Sequence, residues 1–353
     1  MKKILLGTTA LVLLSGAAAA QQVTTSSPFT VTLGGSIRYD FAFFDEDASE
    51  VNRESRMDVR LFLKAEAKAD NGLVYGFDSR IRTASASAGI GAQTMILDKK
   101  VVYAKGTWGN VYLGDWDDVR TQFEVLNPQV GIGQADTNMN PIAHNATEYW
   151  ATEGTFNTKI SYVSPSFAGF QAGVSYTPEN DSGRFISKGT PSTPSTRLSD
   201  QVDLAAAYTG TFGSVGLKVG GGYGLAQGHS GRDDASSWNL GAQVSFAGFT
   251  VGGFYFDQED VGVPTVSGYV DYSYGAGVTY ATGPWGVGLS AIRSKIEANG
   301  VAGLASKTDS VYGIGGAYKL APGLSLQSDL AYVDANSIDN NGWQLVVRTR
   351  VDF

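Results

Sequence analysis

Apolar and polar residues alternate with a period of two through most of this sequence. From Val31 the odd positions read Val31, Leu33, Gly35, Ile37, Tyr39, Phe41 and Phe43, against Thr32, Gly34, Ser36, Arg38, Asp40 and Ala42. The next run sets Met57, Val59, Leu61, Leu63 and Ala65 against Asp58, Arg60, Phe62, Lys64 and Glu66. The pattern returns at residues 238–246, 270–280 and 343–353. Alternation over ~10 residues specifies a strand with one apolar and one polar face. The segment QLVVRTRVDF (344–353) keeps it to the last residue, Phe353. Nothing after residue 20 shows a sustained helical period or the ~18 consecutive apolar residues of a membrane helix.

The predicted strands pair across short turns: DNG (70–72), TWGN (107–110), SFAGF (166–170), GTFGS (210–214), FAGF (246–249), TGPWG (282–286) and LAPGL (320–324). Each carries glycine, the residue that tight hairpin turns favour. Trp108, Phe167, Phe170, Phe212, Phe249 and Trp285 cluster there. Between them run long polar stretches such as ENDSGRFISKGTPSTPSTRLS. Short and long connections therefore alternate along the chain.

Two architectures accept such strands. A sandwich or solenoid buries the apolar faces against a second layer and turns the polar faces to solvent. A transmembrane barrel turns the apolar faces to lipid and the polar faces to an aqueous lumen. The asymmetry of the connections, the aromatics at the short turns and charges deep within strands (Arg38, Lys64, Arg80, Arg82, Lys218, Arg348) favour the barrel. Seven short turns join fourteen strands. An opening strand near 30–44 and a closing strand near 342–353 make sixteen, an even number that lets the last strand seal against the first.

The first twenty residues, MKKILLGTTALVLLSGAAAA, have two lysines, an apolar run too short to span a bilayer, and small residues. They read as a cleaved signal peptide (1–20), followed by one barrel domain (21–353). The formal net charge of −8 becomes two units more negative once Lys2 and Lys3 leave. That balance argues against a nucleic-acid partner. With no cysteine, disulfides, thiol catalysis and cysteine-bound zinc are excluded. The two histidines, His144 and His229, both sit in loop-like settings. They offer little for a histidine-based triad or metal site.

Several stretches, KVVYAKGTWGNVYLGDW (100–116), NTKISYVSPSFAGFQAGVSY (157–176) and the terminal Phe353, resemble the general porins of the Gram-negative outer membrane. The resemblance covers nearly the whole chain after residue 20. It implies a 16-stranded antiparallel transmembrane β-barrel with short periplasmic turns, long extracellular loops and an inward-folded third loop. It also implies a homotrimer in contact with outer-membrane lipid and lipopolysaccharide. Val347, Thr349, Val351 and Phe353 would form the signal read by the barrel-assembly machinery.

The longest connection, within 116–149, is the expected constriction loop. Asp117, Asp118, Glu124 and Asp136 face only Arg120 within it. The polar faces of the first three strands and the last carry Arg38, Arg60, Lys64, Arg80, Arg82 and Arg348. An acidic loop opposite a basic wall would orient dipolar solutes and penalise apolar ones. The alternative is a solvated acidic surface loop, with arginines that only hydrate the lumen.

GGGYG (220–224) lacks the strand-to-helix context and the Gly-Lys-Ser/Thr of a phosphate loop, and reads as barrel strand. Asp45, Glu46 and Asp47, like Asp257, Glu259 and Asp260, read as hydrated or cation-bridged to lipopolysaccharide, and no metal site or cofactor is assigned. The expected function is a passive, non-enzymatic channel for small hydrophilic solutes and ions, leaning mildly to cations. A non-conducting adhesin or anchor is the alternative. An outer-membrane hydrolase would need a Ser/His or paired-acid site that the sequence does not display.

Overall fold

A computed structural model describes residues 21–23, 28–47, 52–83, 95–135, 157–179, 198–228, 233–261, 269–297, 306–337 and 339–353. The expected signal peptide, Asp136, His144 and His229 lie outside these residues, as does the loop beyond residue 135 up to Tyr149. After a short β1 (Gln21–Val23) the wall is built by β2 (Thr30–Glu46), β3 (Arg53–Lys68), β4 (Val74–Thr83), β5 (Met95–Gly106), β6 (Gly109–Asp115), β7 (Thr158–Val163), β8 (Phe170–Glu179) and β9 (Leu198–Phe212). It continues through β10 (Val215–Gly228), β11 (Ala235–Phe246), β12 (Phe249–Val261), β13 (Tyr269–Thr282), β14 (Trp285–Glu297), β15 (Lys307–Ala321), β16 (Leu324–Ala335) and β17 (Asn340–Asp352).

Each wall strand from β2 to β17 pairs antiparallel with the next, and β17 pairs antiparallel with β2, which closes a sixteen-stranded barrel. β1 pairs with β2 at Val31, Thr32 and Leu33, beyond the stretch of β2 that β17 covers. No helix among the described residues is long and apolar enough to cross a membrane.

The alternation sorts side chains as the pleat requires. Leu33, Ile37, Tyr39, Phe43, Val102, Leu113, Ile160, Leu204, Leu240, Val251, Leu289 and Ile314 are exposed on the outer face. Aromatic pairs gather near the short turns: Phe170–Tyr208 at 4.6 Å between centroids, Phe249–Tyr280 at 4.5 Å and Trp285–Tyr318 at 4.2 Å. A second set, Trp238–Tyr255 and Tyr332–Trp343, each at 5.2 Å, lies toward the long loops. Amphipathic rings suit both edges of an apolar band.

The turns follow their chemistry. In Phe167-Ala168-Gly169-Phe170 and Phe246-Ala247-Gly248-Phe249 both central residues have positive φ. This is the type I′ pattern, whose twist matches that of the flanking strands. Pro322-Gly323, with Gly323 at φ 75°, suits a type II turn.

The inner face departs from the expectation that it is polar throughout. Phe254, Phe256, Ile292, Val311 and Val333 form one buried inward cluster with Ala135, and Ala42, Phe44 and Val346 form another with Ile132. Ile132 and Ala135 belong to the long loop, so the inner wall is apolar where that loop covers it.

The seam is tightly made. Gly35 and Phe353 exchange both backbone hydrogen bonds, at 2.8 and 3.0 Å. A Cβ on Gly35 would lie 2.6 Å from the Arg60 carbonyl oxygen and 2.7 Å from the Phe353 ring. Such contacts force a shift of backbone or of the closing residue. Gly35→Val is therefore expected to lower the fraction of compact, heat-modifiable barrel on unheated gels. Gly216→Ala, whose Cβ would meet Ser245 only at 3.6 Å or beyond, should fold like the parent.

Candidate functional site: an inward loop and a basic wall

The long connection leaves β6 and turns into the barrel. Lys159 on β7 donates to the Trp116 carbonyl. Asp118 is fully buried and accepts from the Thr121 N–H at 2.9 Å, capping the one-turn helix α1 (Val119–Phe123). An N-terminal carboxylate satisfies one of the helix's orphan donors. The Val119 N–H donates to Ser175 Oγ on β8 at 2.9 Å. Arg120 points into the wall, 2.9 Å from Asp203 on β9 and 2.6 Å from Ser237 Oγ on β11.

The GGGYG stretch explains how Arg120 fits. A Cβ on Gly222 would come within 2.7 Å of Arg120 Cγ, and one on Gly224 within 2.8 Å of its Cζ. Gly220 faces the Phe123 carbonyl, and Gly241 on β11 faces the Val125 carbonyl. Further round, Gly313 and Gly315 on β15 lie under Gln134. The loop backbone thus occupies space that side chains would otherwise fill.

Polar anchors hold the rest. Gln243 on β11 donates to the Leu126 carbonyl at 2.8 Å, and the Ala135 N–H donates to Ser290 Oγ on β14 at 3.2 Å. The backbone N–H groups of Ile132, Gly133 and Gln134 converge on the buried carboxylate of Asp329 on β16, at 3.1, 2.8 and 2.5 Å. Gly131 and Gln134 have positive φ, 76° and 62°, which curls the chain around that carboxylate. Hydrogen bonds to a charged group contribute about 1.5–3 kcal/mol each. The loop therefore lines the wall from β7 to β17, reaches β2 where Ile132 packs on Ala42 and Phe44, and meets β5 through the Asp117–Lys99 pair; it leaves the rest of β2 to β5 bare.

That bare wall carries Arg38, Arg56, Arg60, Lys64, Arg80, Arg82, Lys99 and Lys105 on its inner face, interleaved with Asp58, Glu66, Asp78 and Asp98. Arg38 and Arg60 share Asp58, at 3.4 and 3.1 Å. Arg80 makes a bidentate pair with Asp98, which Arg82 also contacts. Lys64 pairs with Glu66 at 2.8 Å. Crowded cations held by fewer carboxylates leave this side of the lumen positive.

Of the expected wall residues, Arg38, Arg60, Lys64, Arg80 and Arg82 lie together. Arg348 makes a buried bidentate pair with Asp40 across the β17–β2 seam, at 2.6 and 2.8 Å. Of the expected loop acids, Asp117 pairs with Lys99 at 2.5 Å, Asp118 is the helix cap, and Glu124 is half-buried just after α1. Asp136 lies outside the described residues. Val347, Thr349 and Val351 face outward on β17, opposite Phe41, Tyr39 and Ile37. Sequence reasoning missed Asp98, whose partners lie on another strand, and Lys99 and Asp329, whose partners lie in the inward loop.

The profile of the Gram-negative porins matches residues 7–338. No curated protein matches the sequence. Among solved structures, the trimer form of the Vibrio cholerae outer membrane protein OmpT superposes with a TM-score of 0.63 at 13% identity, over 92% of this chain and 99% of that one. A porin refined at 1.8 Å resolution gives 0.61 at 21% identity, over 92% and 100%. A mutant Rh. blastica porin gives 0.58 at 17%, over 92% and 100%. Profile and barrel agree: the chain belongs to the Gram-negative porin family and is an outer-membrane porin channel.

Proposed function

We propose that this porin passes small hydrophilic solutes and ions by passive diffusion, without catalysis or energy coupling, through a lumen with a basic wall on one side. The supporting observation is the loop's attachment to the wall from β7 to β17, which leaves the basic side chains of β2 to β5 facing the lumen. The short turns would face the periplasm and the long loops the exterior, after export and removal of residues 1–20. Val347, Thr349, Val351 and Phe353 suit a signal for the barrel-assembly machinery, since the first three form an outward row on the closing strand and Phe353 follows it, hydrogen-bonded to Gly35.

Selectivity is set by two regions in series. The acidic loops at the long-loop end and the net negative charge draw cations, and the basic wall draws anions. Rim charges act over a Debye length of about 8 Å at physiological salt and about 30 Å at 0.01 M. The channel therefore leans mildly to cations. Replacing Arg38, Arg60, Arg80 and Arg82 by glutamine should move the reversal potential in a salt gradient further toward cations. An unmoved potential would remove these side chains from the conducting path.

The Asp329 anchor governs how quiet the channel is. With Asp329→Ala three loop N–H groups lose their acceptor, and single-channel records should acquire brief closures at an unchanged open conductance. Records as quiet as the parent's would mean that Asp329 does not hold the loop.

A homotrimer accords with an anomaly on the outer face. Lys100 on β5 and Asp115 on β6 form an ion pair there, among the exposed Val102, Leu113 and Ile160. A lysine at the lipid midplane of a barrel costs about 2–4 kcal/mol. We read this sector as covered by another protomer, with lipid and lipopolysaccharide meeting the rest of the outer wall. Lys100→Asp should convert the oligomer on unheated gels to monomer, and adding Asp115→Lys should restore it. An oligomer unaffected by Lys100→Asp would place the contact elsewhere.

A further inference from the structure

Among the described residues, one large apolar side chain stands exposed on the lumen face. Phe62 on β3 is 41% exposed, yet it belongs to the polar, inward set of its strand. Its strand neighbours on that face are Arg60 and Lys64. Directly across on β4 is Arg80, and beyond Arg80 on β5 is Lys99. On the other side, on β2, is Gly34, which sets no side chain beside the ring. Gly34, Phe62, Arg80 and Lys99 form one row across four strands, and Lys99 ties that row to Asp117 at the root of the inward loop.

An aromatic ring exposed to water in a hydrated channel has no packing role that would hold it there. Its open side lies over glycine, and its other sides carry cations. Lys64 and Arg60 are themselves partly exposed, 39% and 24% of their side chains, so they can meet a solute. A ring offers a flat apolar contact, and neighbouring cations select an anionic group attached to that flat body. An inorganic anion would use only the cations, and an aromatic cation only the ring.

We propose that Phe62, with Arg60, Lys64 and Arg80, forms a binding site on the lumen wall for small aromatic anions, so that the channel takes up flat organic acids in preference to aliphatic anions of equal charge. This rests on the channel reading and deepens it by naming a solute class.

The test uses purified protein in planar bilayers with benzenesulfonate, which stays ionised and does not cross lipid as a neutral acid. Benzenesulfonate should reduce the potassium chloride current saturably. Methanesulfonate and phenyltrimethylammonium at equal concentration should not. Phe62→Ala should raise the half-blocking concentration about two- to tenfold, the scale of one ring contact, with block measured in each protein as a fraction of its own potassium chloride current. Phe62→Tyr should keep the parent's block. Equal block of Phe62→Ala and parent, or equal block by methanesulfonate, would overturn the proposal. Absence of any conductance would instead sink the channel reading. In that case equilibrium dialysis of benzenesulfonate against the detergent-folded parent and Phe62→Ala decides the site: binding lost in the variant upholds it, and equal or no binding overturns it.

Discussion

Every backbone N–H and C=O in a membrane-spanning sheet needs a partner within the protein, because hydrocarbon supplies none. This requirement makes the β17–β2 pairing the contact on which the rest of the molecule depends. Once the ring has no edge, the outer face needs only to be apolar, and outside the Lys100–Asp115 sector valine, leucine and isoleucine repeat there with little discrimination. The inner face is then free to carry unusual chemistry. The seam itself is reinforced where a mismatch would be worst, by the buried Arg348–Asp40 pair and by Phe353 lying over Gly35. Removing one partner of such a buried pair is costly, about 3–5 kcal/mol.

The inward loop is the second layer of the structure, though its described residues contain only one turn of helix. It is accommodated by subtraction: glycines on β10, β11 and β15 omit the side chains that would collide with its backbone. It is then held by a few specific attachments. Arg120 reaches Asp203 through a glycine slot, and Asp329 gathers three consecutive N–H groups. Where neither glycine nor a polar anchor meets it, the wall becomes apolar at Phe254, Phe256, Ile292 and Val311. The pore's cross-section is therefore asymmetric, with an arc from β7 to β17 covered by the loop and an open, cationic arc from β2 to β5.

The barrel was legible in the sequence because lipid on one side and water on the other print a two-residue period directly on the chain. The strand count followed from glycine turns such as Phe-Ala-Gly-Phe, whose positive-φ pairs are local properties. The interior was less legible. Arg38, Arg60, Lys64, Arg80 and Arg82 could be placed on one wall because neighbouring strands are neighbours in sequence. Asp118 reads as one more acid in an acidic loop until the helix it caps is seen. Arg120 and Asp203 are far apart in sequence, and so are Gln134 and Asp329, so nothing near either residue announces its partner. Phe62 stood in the alternation as an apolar residue on the polar face. That local inconsistency was the signal, and its meaning required knowing that Gly34 and Arg80 flank it.

The seam also has a kinetic side. Asp40 and Arg348 are 308 positions apart. Closure of a loop of that length carries a large entropic cost, and contacts so distant in sequence slow folding. Hairpins such as β11–β12 can form locally, but the sheet keeps two raw edges until its last strand arrives. An unfinished barrel is therefore a template for pairing with any exposed strand nearby. Passage to the membrane demands that the chain be kept from hydrogen-bonding prematurely, and the final strand acts as a timer: only its arrival converts an adhesive sheet into an inert ring.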